Sequence, residues 1–225
     1  MEYTELLAGR RSTRHFDTSR EVPDELLERV LAAPLAMPHA GNTYDWRGVV
    51  LRRRDRDPDQ WPAVFSALME QSYVEEADVL IVYAVQPGWW AEQYRANVAT
   101  LVERGLIDPA RHQVLLETVG GGIGDPKALS TGLVGEAMMG VAAGMLAAID
   151  AGLGATVTGC RPGDLARALE LPDGVVLCPY GILALGWPAA PAGGDGAGSA
   201  AAPKPPVEGM YFSERWGGSS PAPGS

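Results

Sequence analysis

The segment Arg10-Arg11-Ser12-Thr13-Arg14 places three cations within five residues near the start of the chain. The chain as a whole is acidic, with a formal net charge of -10, so this basic cluster contrasts with its surroundings. A guanidinium group can bind two phosphate oxygens at once, and a serine hydroxyl adds a further donor. The segment therefore predicts a phosphate-binding site close to the amino terminus.

The overall composition is that of a globular protein. The chain has 225 residues, of which 46% are hydrophobic and 20% charged, so one well-packed domain is expected. An acidic balance argues against nucleic acid as a partner. The sequence does not open like a secretory signal, so a cytoplasmic location is expected. Cys160 and Cys178 match neither a metal-ligand spacing nor a disulfide framework, so we expect no metal.

Hydrophobic periodicity and helix-breaking residues predict a mixture of helices and strands. Asp24 is expected to be the N-cap of a helix that stops before Pro38, and Gly152 the C-cap of a long apolar helix. The run Gly120-Gly121-Gly122 is expected to break a helical stretch that begins at Trp89. The predicted helices are 2–10, 24–37, 61–69, 133–151 and 162–169, and the predicted strands are 46–51, 77–85, 155–158 and 181–186.

The long apolar segment from Leu133 to Leu153 could be mistaken for a membrane span. Glu136 and Asp150 interrupt it, and many of its residues are Ala or Gly, which contribute little transfer free energy. A helix that is apolar nearly all round is expected in a protein core or a subunit interface. We therefore expect no membrane association.

The carboxyl-terminal part changes character after the folded domain, which is predicted to comprise residues 1–188. Residues 189–203 are rich in Gly, Ala and Pro, which is typical of a flexible linker. Residues 204–217 regain apolar and aromatic side chains and are expected to pack as a tail. Residues 218–225 are expected to be disordered.

Several motifs, taken in chain order, resemble the nitroreductase superfamily of FMN-dependent oxidoreductases. The resemblance implies an α+β fold with a small, mixed or mostly antiparallel sheet surrounded by helices. It also implies an intertwined homodimer with FMN at the subunit interface. In such a dimer the glycines of the long apolar helix lie at the centre, and the tail 204–217 packs on the partner subunit. The motifs are RRSTRHF at 10–16, VPDELL at 22–27, PHAGN at 38–42 followed by Trp46, AGLG at 151–154, TVTG at 156–159, LALGWP at 183–188, Lys204 and YFSERWG at 211–217.

The resemblance assigns the candidate cofactor-binding residues to three groups. One group contacts the FMN phosphate and ribityl chain, a second lies beside the flavin ring, and a third presents backbone groups to N5 and O4 of the ring. His39 stands where the family usually has Ser, and it is the candidate for a catalytic proton role. The groups are, in that order, Arg10, Arg11, Ser12, Arg14 and Lys204; Pro38, His39, Ala40 and Asn42; and Val157, Thr158 and Gly159.

The chain also departs from the family pattern at three places. Tyr44-Asp45-Trp46 replaces a frequent Gln-Pro-Trp, and Pro206 stands where the family often has an Arg. Gln71 is the candidate for the mid-chain amide that often bonds the flavin ring. The region from Trp89 to Gly124 is expected to cover the substrate.

Three functional hypotheses follow from the resemblance. The first is an FMN-dependent oxidoreductase that moves two electrons from NADH or NADPH to an organic acceptor such as a nitroaromatic or a quinone. The second is an FMN-dependent dehydrogenase or oxidase that desaturates a small peptide or metabolite with O2 as acceptor, which the altered loop at His39 and Asp45 favours. The third is a non-catalytic flavin-binding or partner subunit.

Overall fold

A sheet of four antiparallel strands forms the centre of the described part of the chain, in the order β1-β2-β4-β3. The computed structural model describes residues 2–122 and 126–190, together with residues 210, 211 and 213. The predictions for the linker, for Lys204 and for most of the tail lie outside these residues. The strands are β1 (Trp46–Arg52), β2 (Val79–Val85), β3 (Gly154–Thr158) and β4 (Val176–Gly186).

Helices cover both faces of the sheet. Side chains of a strand alternate between its two faces, so Ile81 and Tyr83 pack on one side and Leu80 and Val82 on the other. The first side is covered by α2, α5 and α7, and the second by α3, α4 and α8. The helices are α1 (Tyr3–Gly9), α2 (Asp24–Ala32), α3 (Trp61–Ala67), α4 (Ser72–Glu76), α5 (Pro87–Glu103), α6 (Pro109–Gly122), α7 (Pro126–Asp150) and α8 (Pro162–Ala168).

The long helix α7 ends as its sequence predicts. Gly152 adopts a φ of 81°, which is the left-handed conformation that favours glycine. The N–H of Gly152 donates to Ile149 O and that of Leu153 to Ala148 O, both at 2.9 Å. These two bonds satisfy carbonyl groups that would otherwise lack partners at the end of the helix.

Two glycines of α7, Gly140 and Gly144, pack against residues of their own chain. A Cβ on Gly140 would lie 3.0 Å from the Pro34 side chain, and one on Gly144 would lie 3.4 Å from Leu183. Gly132 and Gly135, in contrast, have no atom within 4 Å of a Cβ position. The close approach that Gly140 and Gly144 permit is therefore made within one chain.

Three further expectations are wrong in detail. Pro23 is the N-cap of α2, and the Asp24 carboxylate forms an ion pair with Arg52 and makes no cap hydrogen bond. The helical stretch that begins near Trp89 ends at Glu103, and the glycine run instead forms the last residues of a separate helix, α6. Strand β4 begins at Val176, five residues earlier than predicted, because an irregularity in its pairing accommodates Pro179.

Helix α7 is long and apolar enough over Leu129–Asp150 to cross a membrane by length and composition, and it is the one such helix among the described residues. Only 33% of its most apolar window is buried within the chain. Much of its apolar surface is therefore left uncovered by this chain.

Candidate functional site

The arginine segment leaves α1 at Arg10 and runs along the edge of the sheet. The N–H of Thr13 donates to Ala155 O of β3 at 3.0 Å. Phe16 is buried and forms a β-bridge with Pro188, just after β4. The segment is thus fixed at two points, and the arginines lie at its exposed or half-buried positions.

The arginines of this segment differ from most others in their pairing. Arg10 and Arg14 form no ion pair with any carboxylate of the described residues, although the chain is strongly acidic. Arg11 donates from Nη1 to Ala8 O and Arg10 O, both at 2.9 Å, at the carboxyl end of α1. Arg10 and Arg14 therefore keep guanidinium donors for a ligand, whereas Arg11 uses one nitrogen on its own helix. The arginines that do pair with carboxylates are Arg29, Arg52, Arg53, Arg54, Arg56, Arg161 and Arg167.

The outer edge of β3 presents backbone donors next to this segment. In an antiparallel edge strand the backbone groups point alternately to the neighbouring strand and outward. Ala155 O points outward to Thr13, so the N–H groups of Val157 and Gly159 also point outward, and no described residue accepts from them. Cys160 N–H, as the alternation requires, points inward to Pro179 O at 3.1 Å. The backbone of the arginine segment therefore meets β3 at Ala155, and the outward N–H groups of Val157 and Gly159 follow along the same edge within four residues, which is about 14 Å.

Gly154 allows the arginine segment to approach β3 closely. A Cβ on Gly154 would lie 2.7 Å from Thr13 Cγ2, 2.8 Å from Oγ1 and 3.0 Å from Cβ. Real Cβ atoms essentially never approach a heavy atom below 3.0 Å. A side chain at this position would therefore displace the segment.

The Thr158 side chain is held by two residues at the start of α4. Its Oγ1 accepts from Gln71 Nε2 at 2.9 Å and is 2.8 Å from Tyr73 Oη, while Tyr73 Oη also bonds Gln71 Oε1. Gln71 Nε2 donates as well to Leu68 O at 3.2 Å. Both ends of the Gln71 amide thus have partners within the chain, so Gln71 contacts the β3 end through Thr158.

The loop that contains Pro38 and Asn42 adopts a conformation that few residues favour. Gly41, Asn42 and Tyr44 have φ values of 61°, 56° and 48°. Such left-handed residues are uncommon outside glycine, and they cluster at ligand-binding sites. Asn97 of α5 supports the turn by donating from Nδ2 to Gly41 O at 3.1 Å and Asn42 O at 2.7 Å.

His39 is used inside the same loop. Its Nδ1 lies 2.8 Å from Met37 O, and its Nε2 lies 2.7 Å from Nε1 of Trp46. A carbonyl oxygen only accepts and an indole N–H only donates, so the contacts require a neutral imidazole with its proton on Nδ1. Both ring nitrogens are engaged, so this geometry gives no support to the predicted proton-transfer role of His39.

Two carboxyl groups lie behind the loop. Asp45 is 1% exposed, and its Oδ2 has no hydrogen-bond partner among the described residues. Glu136 of α7 accepts from Ala40 N–H at 3.3 Å. Burial raises the pKa of both carboxyls above their ordinary values. The loop thus carries a buried acid at Asp45, whose Oδ1 accepts a hydrogen bond from the Thr43 hydroxyl at 3.3 Å.

The arginine segment and the loop lie at opposite edges of the sheet. Ala155 aligns through β4 and β2 with Arg52, whereas Trp46, which His39 contacts, is at the other end of β1. Ala155 and Trp46 are therefore separated by three strand spacings, which is about 14 Å across the sheet. They are also separated by six residues along β1, which is about 20 Å. One chain therefore does not bring its own two groups of candidate residues together.

Comparison with known proteins identifies the family. The sequence profile described as "Nitroreductase family" matches residues 7–187, which is most of the chain. The chain therefore belongs to the nitroreductase family, and the predicted membership is confirmed. Its α+β fold with a small antiparallel sheet is confirmed as well.

Individual relatives are distant in sequence but similar in fold. A protein of Methanothermobacter thermautotrophicus named "Putative NADH dehydrogenase/NAD(P)H nitroreductase" is 24% identical over 203 residues, which cover 84% of this chain and 78% of that protein. The crystal structure of a "putative nitroreductase" in complex with FMN from Exiguobacterium sibiricum has a TM-score of 0.68 at 19% identity and covers 84% of this chain and 90% of that one. A nitroreductase-like protein from Streptococcus mutans has a TM-score of 0.67 at 19% identity, with 82% and 88% covered.

Sequence reasoning missed several residues that shape the site. Tyr73, Glu76, Asn97 and Glu136 carried no motif, and their contacts to the loops span long separations in the chain. Tyr73 and Thr158, for example, are 85 residues apart. No spacing rule within one sequence indicates such a pair.

Proposed function

We propose that this protein is an FMN-dependent oxidoreductase that takes two electrons from NADH or NADPH and passes them to an organic acceptor. The observation that carries the proposal is the edge of β3, where the segment that carries Arg10 and Arg14, which form no ion pair with the described carboxylates, meets a strand whose Val157 and Gly159 N–H groups point outward. Anionic phosphate fits the guanidinium end, and the acceptor atoms of a flavin ring fit the N–H end. The names of relatives that mention FMN and NAD(P)H agree with this proposal.

The residues present are suited to hold FMN, which supplies two-electron redox chemistry when it is bound. Arg10, Ser12 and Arg14 would bind the phosphate and ribityl chain, with Lys204 as a further proposed ligand. Val157 and Gly159 would donate to the ring from the strand edge. In this chemistry the protein's task is to orient donor and acceptor and to exclude water, so it needs no strong acid or nucleophile.

We also propose that the site is completed by a second copy of the chain. The loop that contains Pro38, His39, Ala40 and Asn42 is too far from the arginine segment of its own chain, so the loop of a partner is the candidate to cover the ring. Gly132, Gly135 and Met139 form a stripe of α7 that the described residues leave exposed, and Leu7 of α1 is also exposed. A homodimer that buries this apolar surface would explain both features.

The acceptor that this chemistry favours is a planar, electron-poor organic molecule such as a nitroaromatic or a quinone. Hydride transfer to such a molecule requires stacking on the ring and proximity, and no residue of a covalent mechanism is needed. The dehydrogenase reading depended on the altered loop at His39 and Asp45. Because His39 bonds within the loop and Asp45 is buried beneath it, no specific contact favours that reading.

The test is an anaerobic titration of the purified protein after loading with FMN. Bleaching of the flavin absorbance by stoichiometric NADH or NADPH, followed by recovery on addition of a quinone, is the expected result. Bleaching by neither nicotinamide would contradict the reductase function. Failure to retain any FMN would contradict the flavin site itself.

A further inference from the structure

A short helix connects the two halves of the proposed FMN site. Helix α4 begins beside the β3 end, where Gln71 and Tyr73 bond Thr158 Oγ1 at 2.9 Å and 2.8 Å. At its other end, Glu76 Oε2 accepts the N–H of Phe16, which closes the arginine segment, at 2.9 Å. One element of five residues therefore contacts both the ring end and the phosphate end of the site.

The contacts at the β3 end form a closed set. Gln71 Nε2 donates to Thr158 Oγ1, and the Tyr73 hydroxyl lies within hydrogen-bond distance of both Thr158 Oγ1 and Gln71 Oε1. The Thr158 hydroxyl also lies 3.4 Å from Gly159 O, so rotation of any of these three side chains would break at least one hydrogen bond. The peptide that follows Thr158 carries the outward N–H of Gly159, so fixing the Thr158 side chain orients that donor.

The helix itself cannot shift easily. Val74 and Ala77 are fully buried against the second face of the sheet. The Arg56 guanidinium donates to Val74 O at 3.0 Å and to Ala77 O at 2.9 Å, and its side chain is only 8% exposed. A rigid helix with ligand-positioning contacts at each end has a fixed length, about 1.5 Å per residue.

We propose that α4 sets the spacing between the phosphate-binding and ring-binding halves of the FMN site, with Gln71 and Tyr73 as positioning residues for the β3 edge and Glu76 as the positioning residue for the arginine segment. This inference rests on the proposed FMN function. The two ends act on different parts of the cofactor, so their loss has different consequences. Loss of the Glu76 contact weakens FMN binding. Loss of the Tyr73 contact changes the affinity of the β3 edge for the reduced flavin ring relative to the oxidised ring.

The experiment compares variants at the two ends. Tyr73→Phe removes one hydroxyl, and Tyr180→Phe is its matched control, since Tyr180 is 70% exposed and its ring stays against Gly159. Glu76→Ala removes the acceptor for Phe16 N–H, and Glu76→Gln keeps one. For each variant the dissociation constant of FMN, the midpoint potential of the bound flavin and the thermal unfolding of the apoprotein are measured.

Variants at the two ends of α4 are expected to change different measured quantities. Glu76→Ala raises the FMN dissociation constant about tenfold at an unchanged potential, and Glu76→Gln stays within about threefold of the unaltered protein. Tyr73→Phe changes the ratio of affinities for the two oxidation states about tenfold, which is a potential lower by about 30 mV for a two-electron couple. The Tyr180→Phe control leaves both quantities unchanged.

Two results would overturn the inference. One is that the FMN dissociation constant and the midpoint potential of the bound flavin are unchanged in both Tyr73→Phe and Glu76→Ala. The other is that both variants shift both quantities together, in proportion to a loss of apoprotein stability, which is the behaviour of a merely structural helix. If the unaltered protein does not bind FMN, the proposed function itself fails and the inference fails with it.

Discussion

Substitution of Gly154 by Ala tests whether the arginine segment must lie against β3. The new Cβ would be 2.7 Å from Thr13 Cγ2, 2.8 Å from Oγ1 and 3.0 Å from Cβ. Rotation about χ1 can move Cγ2 and Oγ1, but it cannot move the Thr13 Cβ. The segment as a whole must therefore shift, and the hydrogen bond from Thr13 N–H to Ala155 O must lengthen.

The magnitude follows from the cost of this displacement. Overpacking of a well-packed contact costs about 1–3 kcal/mol, and the bond that lengthens contributes about 0.5–1.5 kcal/mol of that range. The segment in the free variant relaxes away from β3, so FMN binding must restore it against this cost. Since about 1.4 kcal/mol corresponds to a factor of ten, the dissociation constant of FMN is expected to rise between about fivefold and about a hundredfold.

The assay is a titration of apoprotein with FMN, followed by quenching of flavin fluorescence. Gly163→Ala in α8 is the matched control, because the nearest atom to its Cβ position is Arg167 Nη1 at 3.9 Å, an ordinary contact. Thr13→Gly in the Gly154→Ala background removes all three of the close Thr13 atoms, Cβ included, and should recover most of the affinity. A Gly154→Ala protein with unaltered FMN affinity, or a double variant without any recovery, would refute the reasoning.

Three further predictions concern single side chains. Arg14→Ala should raise the FMN dissociation constant about tenfold or more while Arg11→Ala, whose guanidinium bonds its own helix end, has a smaller effect; equal losses by fluorescence titration would contradict the assignment. Because burial raises the pKa of Asp45, its contribution to stability is largest below its unfolded pKa and is lost as the pH rises through the folded pKa. Denaturant unfolding should therefore show Asp45→Asn gaining stability relative to the unaltered protein between acidic and neutral pH, and a constant difference would refute this. Burial also raises the pKa of Cys160 to about 11 and of Cys178 to about 12, so both thiols should react with a disulfide reagent at pH 8 far more slowly in the folded than in the unfolded protein; equal rates would contradict their burial.

Local patterns in the sequence were sufficient to predict most strands and helices. Strand β2 is a continuous apolar run because both of its faces are covered, and such a run is visible in the sequence. The start of β4 was not predictable, because Pro179 within a strand argues against that assignment and only pairing across the irregularity accommodates it. The same limit applies to Asp24, whose partner Arg52 lies 28 residues away.

The candidate site was predictable where it consists of one segment. The basic cluster at Arg10–Arg14 stands out against an acidic chain, whereas the hydrogen bond that joins this segment to the edge of β3 was not predictable from the sequence. The contacts of His39 were not predictable, since its two nitrogens meet a backbone carbonyl and a Trp46 ring that the loop conformation alone brings together. Nor does a single sequence indicate that Gln71 and Thr158 meet, because the fold determines that contact.

We propose that FMN lies between the arginine segment of one chain and the Pro38–Asn42 loop of another. A heterodimer purified through two different affinity tags tests this arrangement. One chain carries Arg10→Ala and Arg14→Ala, and the other carries Gly41→Ala, whose new Cβ would lie 2.4 Å from the Tyr94 ring and so disrupt the loop. Each parent homodimer is first verified to be folded and to have lost FMN.

A site shared between chains concentrates both defects in one of the two sites and leaves the other intact. The account therefore predicts that the heterodimer binds one FMN per dimer with the affinity of the unaltered protein. If each site were built from a single chain, every site would carry one defect. A heterodimer that binds no more FMN than its parents would contradict the account.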